Sequence, residues 1–396
     1  MGHLTLAGQQ ATSSGVGHSR ATESDAAGRE AVRAALEGHQ PTAADLVILL
    51  TSDEYDIERL YAAAVAEAAP AGVFGCTSTG GFTHTEQVPS GCVAALLRAD
   101  DESSFGISHV ARADDDIAGS TRGAVEQARQ RAGDRHPHSV LLLLTDGMTP
   151  DQREVARGAY EVTTALIPFV GGVAADNLRW SQTHTFGDGR VLTNGIVAVW
   201  INSATPIGVS VDHGWRPAGK PMLVTRAEGT VVHELDGMPA LDAYLAEQGG
   251  TLEPTDAEFF LKVMSSPVGL SNARGRYDVR QLHAYLPDGG GVNLNIGVSE
   301  QSILQVMSTD DEALIEGARR AAREAVGQLS GPARLVLVFS CGSRVPLLGE
   351  RIRDEVVAIS SEIDGAPVCG FYTFGEFART TGSSGVHNSS VAVLAL

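Results

Sequence analysis

Leu335-Val336-Leu337-Val338-Phe339, followed by the polar corner Ser340-Cys341-Gly342-Ser343-Arg344, opens the stretch that decides the fold. A helical stretch over 347–363 comes next. A second apolar run then enters Val368-Cys369-Gly370-Phe371-Tyr372-Thr373-Phe374-Gly375-Glu376-Phe377, and a third closes the chain over 391–396. The order reads as strand, loop, helix, strand, glycine-rich loop, strand.

The same order occurs twice earlier. Leu46-Val47-Ile48-Leu49-Leu50 is followed by Thr51, a helical pattern over 57–68, the loop Gly75-Cys76-Thr77-Ser78-Thr79-Gly80-Gly81-Phe82 and a strand over 92–97. A strand over 140–144 is followed by Thr145, a helix over 151–165, the corner Gly171-Gly172-Val173-Ala174-Ala175-Asp176-Asn177 and a closing strand over 196–200. Acidic clusters at 114–116 and 310–312 precede helices, where negative charge suits the positive end of the helix dipole. Hydroxyls Thr51, Thr145 and Ser340 line up, as do glycines Gly75, Gly171 and Gly370; Gly80 and Phe82 fall on Gly375 and Phe377. Such recurrence points to an internal repeat. The expected fold is α/β: two α/β modules built from three repeated strand-helix-strand units with mixed sheets. The third unit is expected to begin with a strand over 303–307, and residues from 209 to about 295 to form a linking region outside the units.

Composition limits the function. At 396 residues the chain has room for two to three domains, with 43% hydrophobic and 19% charged residues, the balance of a globular protein with a sizeable core. A net charge of −19 argues against nucleic acid and against an anionic membrane surface. No apolar run approaches the ~20 residues of a membrane span. The segment 1–27 is rich in small and polar residues and reads as a disordered tail rather than a secretory signal. The four cysteines, Cys76, Cys92, Cys341 and Cys369, form no C-x-x-C pair and suit a reducing cytoplasm.

Two further stretches carry a family resemblance: Gly214-Trp215-Arg216-Pro217-Ala218-Gly219-Lys220-Pro221, running on to Glu234-Leu235-Asp236-Gly237-Met238-Pro239, and Phe186-Gly187-Asp188-Gly189. With the corners at 75–80, 340–344 and 370–376 they resemble the FIST family of intracellular signal-transduction sensors. The resemblance implies a FIST N-terminal module over 28–235 and a C-terminal module over 236–396. It implies a cytoplasmic, bacterial-type sensor that binds a small ligand, such as an amino acid, and acts through a separate signalling protein such as a kinase or cyclase. Haem binding with nitric oxide sensing is the alternative it brings. Gly81 stands where many members resemble Gly-Glu, whereas Glu376 keeps that carboxylate in the third unit.

Ligands of α/β sheets sit beyond the carboxyl ends of parallel strands, where glycines expose backbone N–H groups. That rule selects Thr77, Ser78, Asp176, Asn177, Ser343, Arg344, Tyr372, Thr373 and Glu376. Arg344 and Glu376, each in a loop after a strand of the same unit, are expected to face one cleft and hold a zwitterion, the guanidinium gripping its carboxylate. The rival is an ion pair between them. An enzyme using Cys76 or Glu376 is a third possibility, although no histidine pattern supports an activated thiol. Loop histidines His84, His184 and His387 are the candidate haem ligands. The spacing from Gly214 to Lys220 imitates a phosphate loop, but Pro221 replaces the required hydroxyl. Asn388-Ser389-Ser390 is a glycosylation pattern only for a secreted protein.

Overall fold

Successive side chains of a strand point to opposite faces, so an unbroken apolar run marks a strand covered on both sides. The computed structural model, which describes residues 14–84, 86–249, 262–271, 275, 277–286, 290–380 and 385–396, shows this in three strands. Leu46, Ile48 and Leu50, Val140, Leu142 and Leu144, and Leu335, Leu337 and Phe339 all enter one shared central core. The residues between them face outward: Val47 and Leu49 into one helix-covered layer, Leu141 and Leu143 into a second, Val336 and Val338 into a third.

Three six-stranded sheets wall the central core. The first runs Val16–Ser19, Cys92–Leu97, Leu46–Ser52, Gly72–Ser78, Thr185–Gly187, Arg190–Leu192. The second runs Ser103–Ala111, Gly195–Ser203, His138–Thr145, Phe169–Val173, Glu376–Arg379, Val386–His387. The third runs Gly208–Asp212, Val391–Ala395, Val336–Cys341, Val368–Thr373, Gly81–Thr83, Gln87–Val88. In each, the two middle strands are parallel and every other pair is antiparallel.

The last two strands of each sheet are a hairpin donated by another unit. The first unit gives its hairpin to the third sheet, the second to the first sheet, and the third to the second, so the exchange closes on itself. At every junction a phenylalanine of the donated strand sits opposite a glycine of the receiving strand: Phe82 opposite Gly370, Phe186 opposite Gly75, and Phe377 opposite Gly171. All three rings are fully buried and join the outer layer of the receiving sheet. A Cβ on Gly370 would lie 2.2 Å from the Phe82 ring, and one on Gly75 2.7 Å from the Phe186 ring and 1.6 Å from the Leu49 carbonyl. These glycines are therefore places where another chain segment occupies the space of a side chain.

Helices cover the outer faces in pairs: Ser24–Leu36 with Ile57–Ala68, Ile117–Ala132 with Gln152–Thr163, and Asp311–Val326 with Ile352–Ser360. Several starts are set by an aspartate that accepts a backbone N–H of the first turn, Asp56 from Arg59, Asp116 from Gly119 and Asp310 from Ala313. Among the described residues no helix is long and apolar enough to cross a membrane.

Several expectations change. Residues 14–27, assigned to a tail, include the edge strand Val16–Ser19 and the start of the first helix; residues 1–13 lie outside the described residues. The first strand of the third unit is Gly208–Asp212, not 303–307, because it pairs with Val391–Ala395. Between that strand and helix Asp311–Val326 lies an insertion with its own nine-stranded sheet, to which Ile303–Ser308 belongs, and the helix Ala240–Glu247. The module boundary expected between 235 and 236 is not among these changes; it lies at the Leu235–Met238 pair of the insertion's sheet. Arg216–Pro217, within the phosphate-loop look-alike, is a strand against Ser308 and Met307.

Phe82→Ala is expected to lower stability by about 3–5 kcal/mol in denaturant titrations, the usual cost of emptying a buried aromatic site. Gly370→Ala should cost less in the Phe82→Ala background than in the wild type, since the ring it collides with is gone. Additive effects would mean that the ring and the glycine do not share the junction.

Candidate functional site

The parallel strand pairs end at three corners that differ in how their polar groups are used. At the first corner those of Thr77, Ser78 and Ser52 are consumed internally, while Thr79 Oγ1 is buried without a partner. Thr77 Oγ1 accepts from the His184 N–H at 3.1 Å, Ser78 Oγ donates to the Thr51 carbonyl at 3.1 Å, and Ser52 Oγ accepts from Gly91 N–H at 3.1 Å. At the second corner Asp176 is fully buried, and its carboxylate accepts from the backbone of Trp180, Ser181 and Gln182 and from the Ser181 hydroxyl. This folds 176–182 into a tight loop in which Asn177, Leu178 and Trp180 have positive φ of 55°, 61° and 54°. Such conformations cost about 1–3 kcal/mol each and persist where surrounding contacts enforce them. Asn177 Nδ2 and Arg179 both donate to Asp53 of the first unit, tying the loop across units.

The third corner holds two buried charges. Arg344 is the first residue of helix Arg344–Leu348 rather than a loop residue, and it is fully buried. Its Nε donates to Glu355 Oε2 at 2.6 Å, Nη2 to the Leu314 carbonyl at 2.8 Å and Nη1 to the His213 carbonyl at 3.2 Å; Ser340 Oγ donates to the other Glu355 oxygen at 2.8 Å. All three guanidinium nitrogens are thus engaged, and the partner is Glu355, neither a cleft nor Glu376. Glu376 opens strand Glu376–Arg379, also fully buried. Its Oε1 accepts from Thr373 Oγ1 at 2.7 Å, and its Oε2 from Ser390 Oγ at 2.7 Å and Ser390 N–H at 3.2 Å. Burial, opposed by those hydrogen bonds, pushes its pKa up to about 7. Tyr372 is buried with its hydroxyl accepting from Gln87 Nε2 at 3.1 Å, and burial raises it well above the ordinary phenol range.

Open space lies over the second and third corners, beneath the insertion. One cavity of about 30 Å³ has Cys341, Ser343 and Thr373 on its floor, Leu178 and Trp180 on one side and Val263, Met264 and Gln281 of the insertion opposite. A larger one of about 280 Å³ reaches over 147–152 and Val173 to Thr230 and Asn293. Trp180, His283, Asn295, Phe374 and Asn388 line both. Trp180 and Phe374 stack face to face, centroids 3.8 Å apart, and His283 meets Trp180 edge-on at 5.0 Å. Asn388 is only 3% exposed, yet no protein group donates to its Oδ1; Asn293 Oδ1 on the larger cavity is likewise unpartnered. Among the described residues neither cavity is lined by Asp, Glu, Lys or Arg.

Of the nine residues selected from sequence, Ser343 and Thr373 reach the cavities. Thr77, Ser78, Asp176, Asn177, Arg344, Tyr372 and Glu376 are engaged with other protein groups. Trp180, Phe374 and Asn388 were missed as site residues. Phe374 lay inside the motif that identified the corner, and Asn388 inside one read only as a glycosylation pattern. Nothing local marks His283 or Asn295, which arrive from the insertion.

The thiols are not poised for nucleophilic work. All four cysteines are free and buried. Cys76 faces the central core, and burial drives its pKa upward. Cys341 borders the smaller cavity, but burial and neighbouring Glu376 push it up to about 12. The three loop histidines do not offer haem a ligand at the cavities. His84 is exposed, His184 borders neither cavity, and the half-buried His387 has its Nε2 2.9 Å from the Ala378 carbonyl. No cluster of three His, Cys, Asp or Glu side chains suited to a metal occurs among the described residues.

Models of two domains match in tandem, the FIST N domain over 45–238 and the FIST C domain over 240–379. The chain belongs to the FIST family. FIST domains are signal-transduction sensor modules. An uncharacterised protein of Mycobacterium tuberculosis is 27% identical over 390 residues, covering 96% of this chain and 98% of its own. An uncharacterised Mycobacterium bovis protein is 26% identical over 266 residues, 66% of this chain and 68% of the relative. Among solved structures, the crystal structure of a cyanuric acid hydrolase from A. caulinodans aligns over 96% of this FIST chain and 98% of its own, at 10% identity and a TM-score of 0.37. A likeness at that score bears on neither fold nor chemistry.

Two variants test the buried charges. Arg344→Met should cost about 3–5 kcal/mol by leaving Glu355 uncompensated, with Glu355→Gln restoring part of the loss. Normal stability would return Arg344 to the list of ligand contacts. For Glu376, the folded pKa of about 7 exceeds the ordinary 4.5, so the folded state holds the extra proton between those values. Its contribution is most favourable below the lower value and fades as pH rises through about 7. Glu376→Gln should remove that slope from the pH profile of the melting temperature and stabilise the protein above neutrality, by up to about 3 kcal/mol.

Proposed function

We propose that this FIST protein is a sensory module that takes a small polar ligand into the paired cavities around Trp180, Phe374 and Asn388 and reports occupancy to a separate signalling protein, such as a kinase or cyclase. The observation that carries the reading is the buried, unpartnered Asn388 Oδ1 at the boundary of two cavities beyond the carboxyl ends of parallel strands. A buried acceptor without a donor costs about 1–3 kcal/mol, a debt that a ligand N–H or O–H cancels. The larger volume, about 280 Å³, comes close to the range of small-molecule sites, and the smaller one extends it by a niche.

A ligand shifts only an equilibrium whose states it binds differently. The element that would differ is the loop carrying Trp180: its positive-φ residues are held by Asp176 from within and by Asp53 from the first unit. Repositioning Trp180 would reach the surface through the Asp53–Arg179 pair, where Arg179 is 55% exposed. The reading keeps a cytoplasmic setting, which four free, buried cysteines support. An amino acid held by Arg344 and Glu376 is not part of it, since both side chains are engaged elsewhere.

Extraction of the purified protein followed by mass spectrometry should reveal a bound small molecule in the wild type. Asn388→Leu and Trp180→Leu should fold with near-normal melting temperatures and retain little of it. A compound retained equally by both variants would place the ligand elsewhere.

A further inference from the structure

Accepting the site proposed above, its lining restricts the ligand further. Two cavities have a combined wall drawn from the second unit, the third unit and the insertion, and among the described residues that wall contains no carboxylate, ammonium or guanidinium. The charges of the two corners are engaged within the protein, while Arg280, beside the lining residue Gln281, is buried with its Nε unpartnered and Asp278 4.0 Å away. Arg344 is spent on Glu355 and two carbonyls, Glu376 on Thr373 and Ser390, and Asp146 accepts from Thr183 Oγ1 at 2.5 Å and Arg112 Nη2 at 3.3 Å. Burial lowers the pKa of His283, which keeps the imidazole neutral at neutral pH. A charged ligand entering here would lose its hydration without gaining a counter-ion, and an unpaired buried charge is heavily penalised.

What the lining does offer is amide and aromatic. Asn388 Oδ1 and Asn293 Oδ1 are acceptors without donors. Trp180, Phe374, Leu178 and Met264 supply apolar surface beside them. We infer that the ligand is an uncharged small molecule that donates a hydrogen bond to Asn388 and rests an apolar face against Trp180 and Phe374. Amino acids in their zwitterionic form and free carboxylates are outside this class.

The test uses the full chain and a graded series of primary carboxamides, from acetamide to benzamide and an indole carboxamide, with the matched carboxylates and N,N-dimethylamides. Saturation-transfer NMR finds binders and calorimetry ranks them. Carboxamides should bind at least about tenfold more tightly than their carboxylates and than the dimethylamides that have lost the N–H, a difference of about 1.4 kcal/mol. In Asn388→Leu the preference for the N–H should vanish, and in Trp180→Leu the larger aromatic amides should lose affinity. If carboxylates bind as tightly as carboxamides and Trp180→Leu still weakens them, the ligand class is wrong while the site stands. If no member of any series binds, or if Asn388→Leu and Trp180→Leu leave binding unchanged, the class and the site both fall.

Discussion

A phenylalanine set opposite a glycine on the neighbouring strand recurs at each junction between units, and the architecture depends on it. A unit on its own has a sheet whose fourth strand ends in an open edge, a row of unpaired backbone groups. The hairpin that closes this edge comes from another unit, and its phenylalanine, Phe82, Phe186 or Phe377, enters the outer layer of the sheet it joins. Because the exchange is cyclic, no unit can dock last without engaging both others. The central core is the product: alternate residues of three apolar strands meet only when all three sheets are present.

This closure decides where a site can form. The three corners begin with similar sequences, yet their hydroxyls are used differently. At the first corner Thr77, Ser78 and Ser52 serve the backbone of neighbouring segments. At the second, Asp176 spends its carboxylate shaping a loop with left-handed residues that presents Trp180. At the third, Arg344 and Glu355 fasten helix to strand. What remains open is the space over the second and third corners, and it becomes a pair of partly open cavities because the insertion leaves the third unit after Asp212 and folds across them.

The buried charges show how a sequence pattern that suggests ligand binding can serve structure. An arginine after a strand and a glutamate after a glycine-rich turn look like a clamp for a zwitterion. Each is instead satisfied by groups within the fold, at distances of 2.6–2.8 Å for the strongest contacts. With the charges thus enclosed, the cavity above them is left to amides, hydroxyls and aromatic rings.

The sequence by itself determined the strands, their repeated order and most helices. Five-residue apolar runs, acidic helix starts such as Asp116 and Asp310, and glycines at fixed places after a strand are local signals, because backbone geometry and capping act over a few residues. It also determined that Gly370 and Phe82 occupy special positions, though not that they face each other. The tertiary structure alone decided the exchange of hairpins, the membership of Gly208–Asp212 in the third sheet, and the pairing of Arg344 with Glu355 and the distant His213 and Leu314 carbonyls. It alone decided the site, since Trp180, His283, Phe374 and Asn388 meet only after the insertion is laid over the corners. The physical reason is range: a hydrogen bond or a stacked ring joins whatever the fold brings within a few ångströms, and no spacing along the chain encodes that distance.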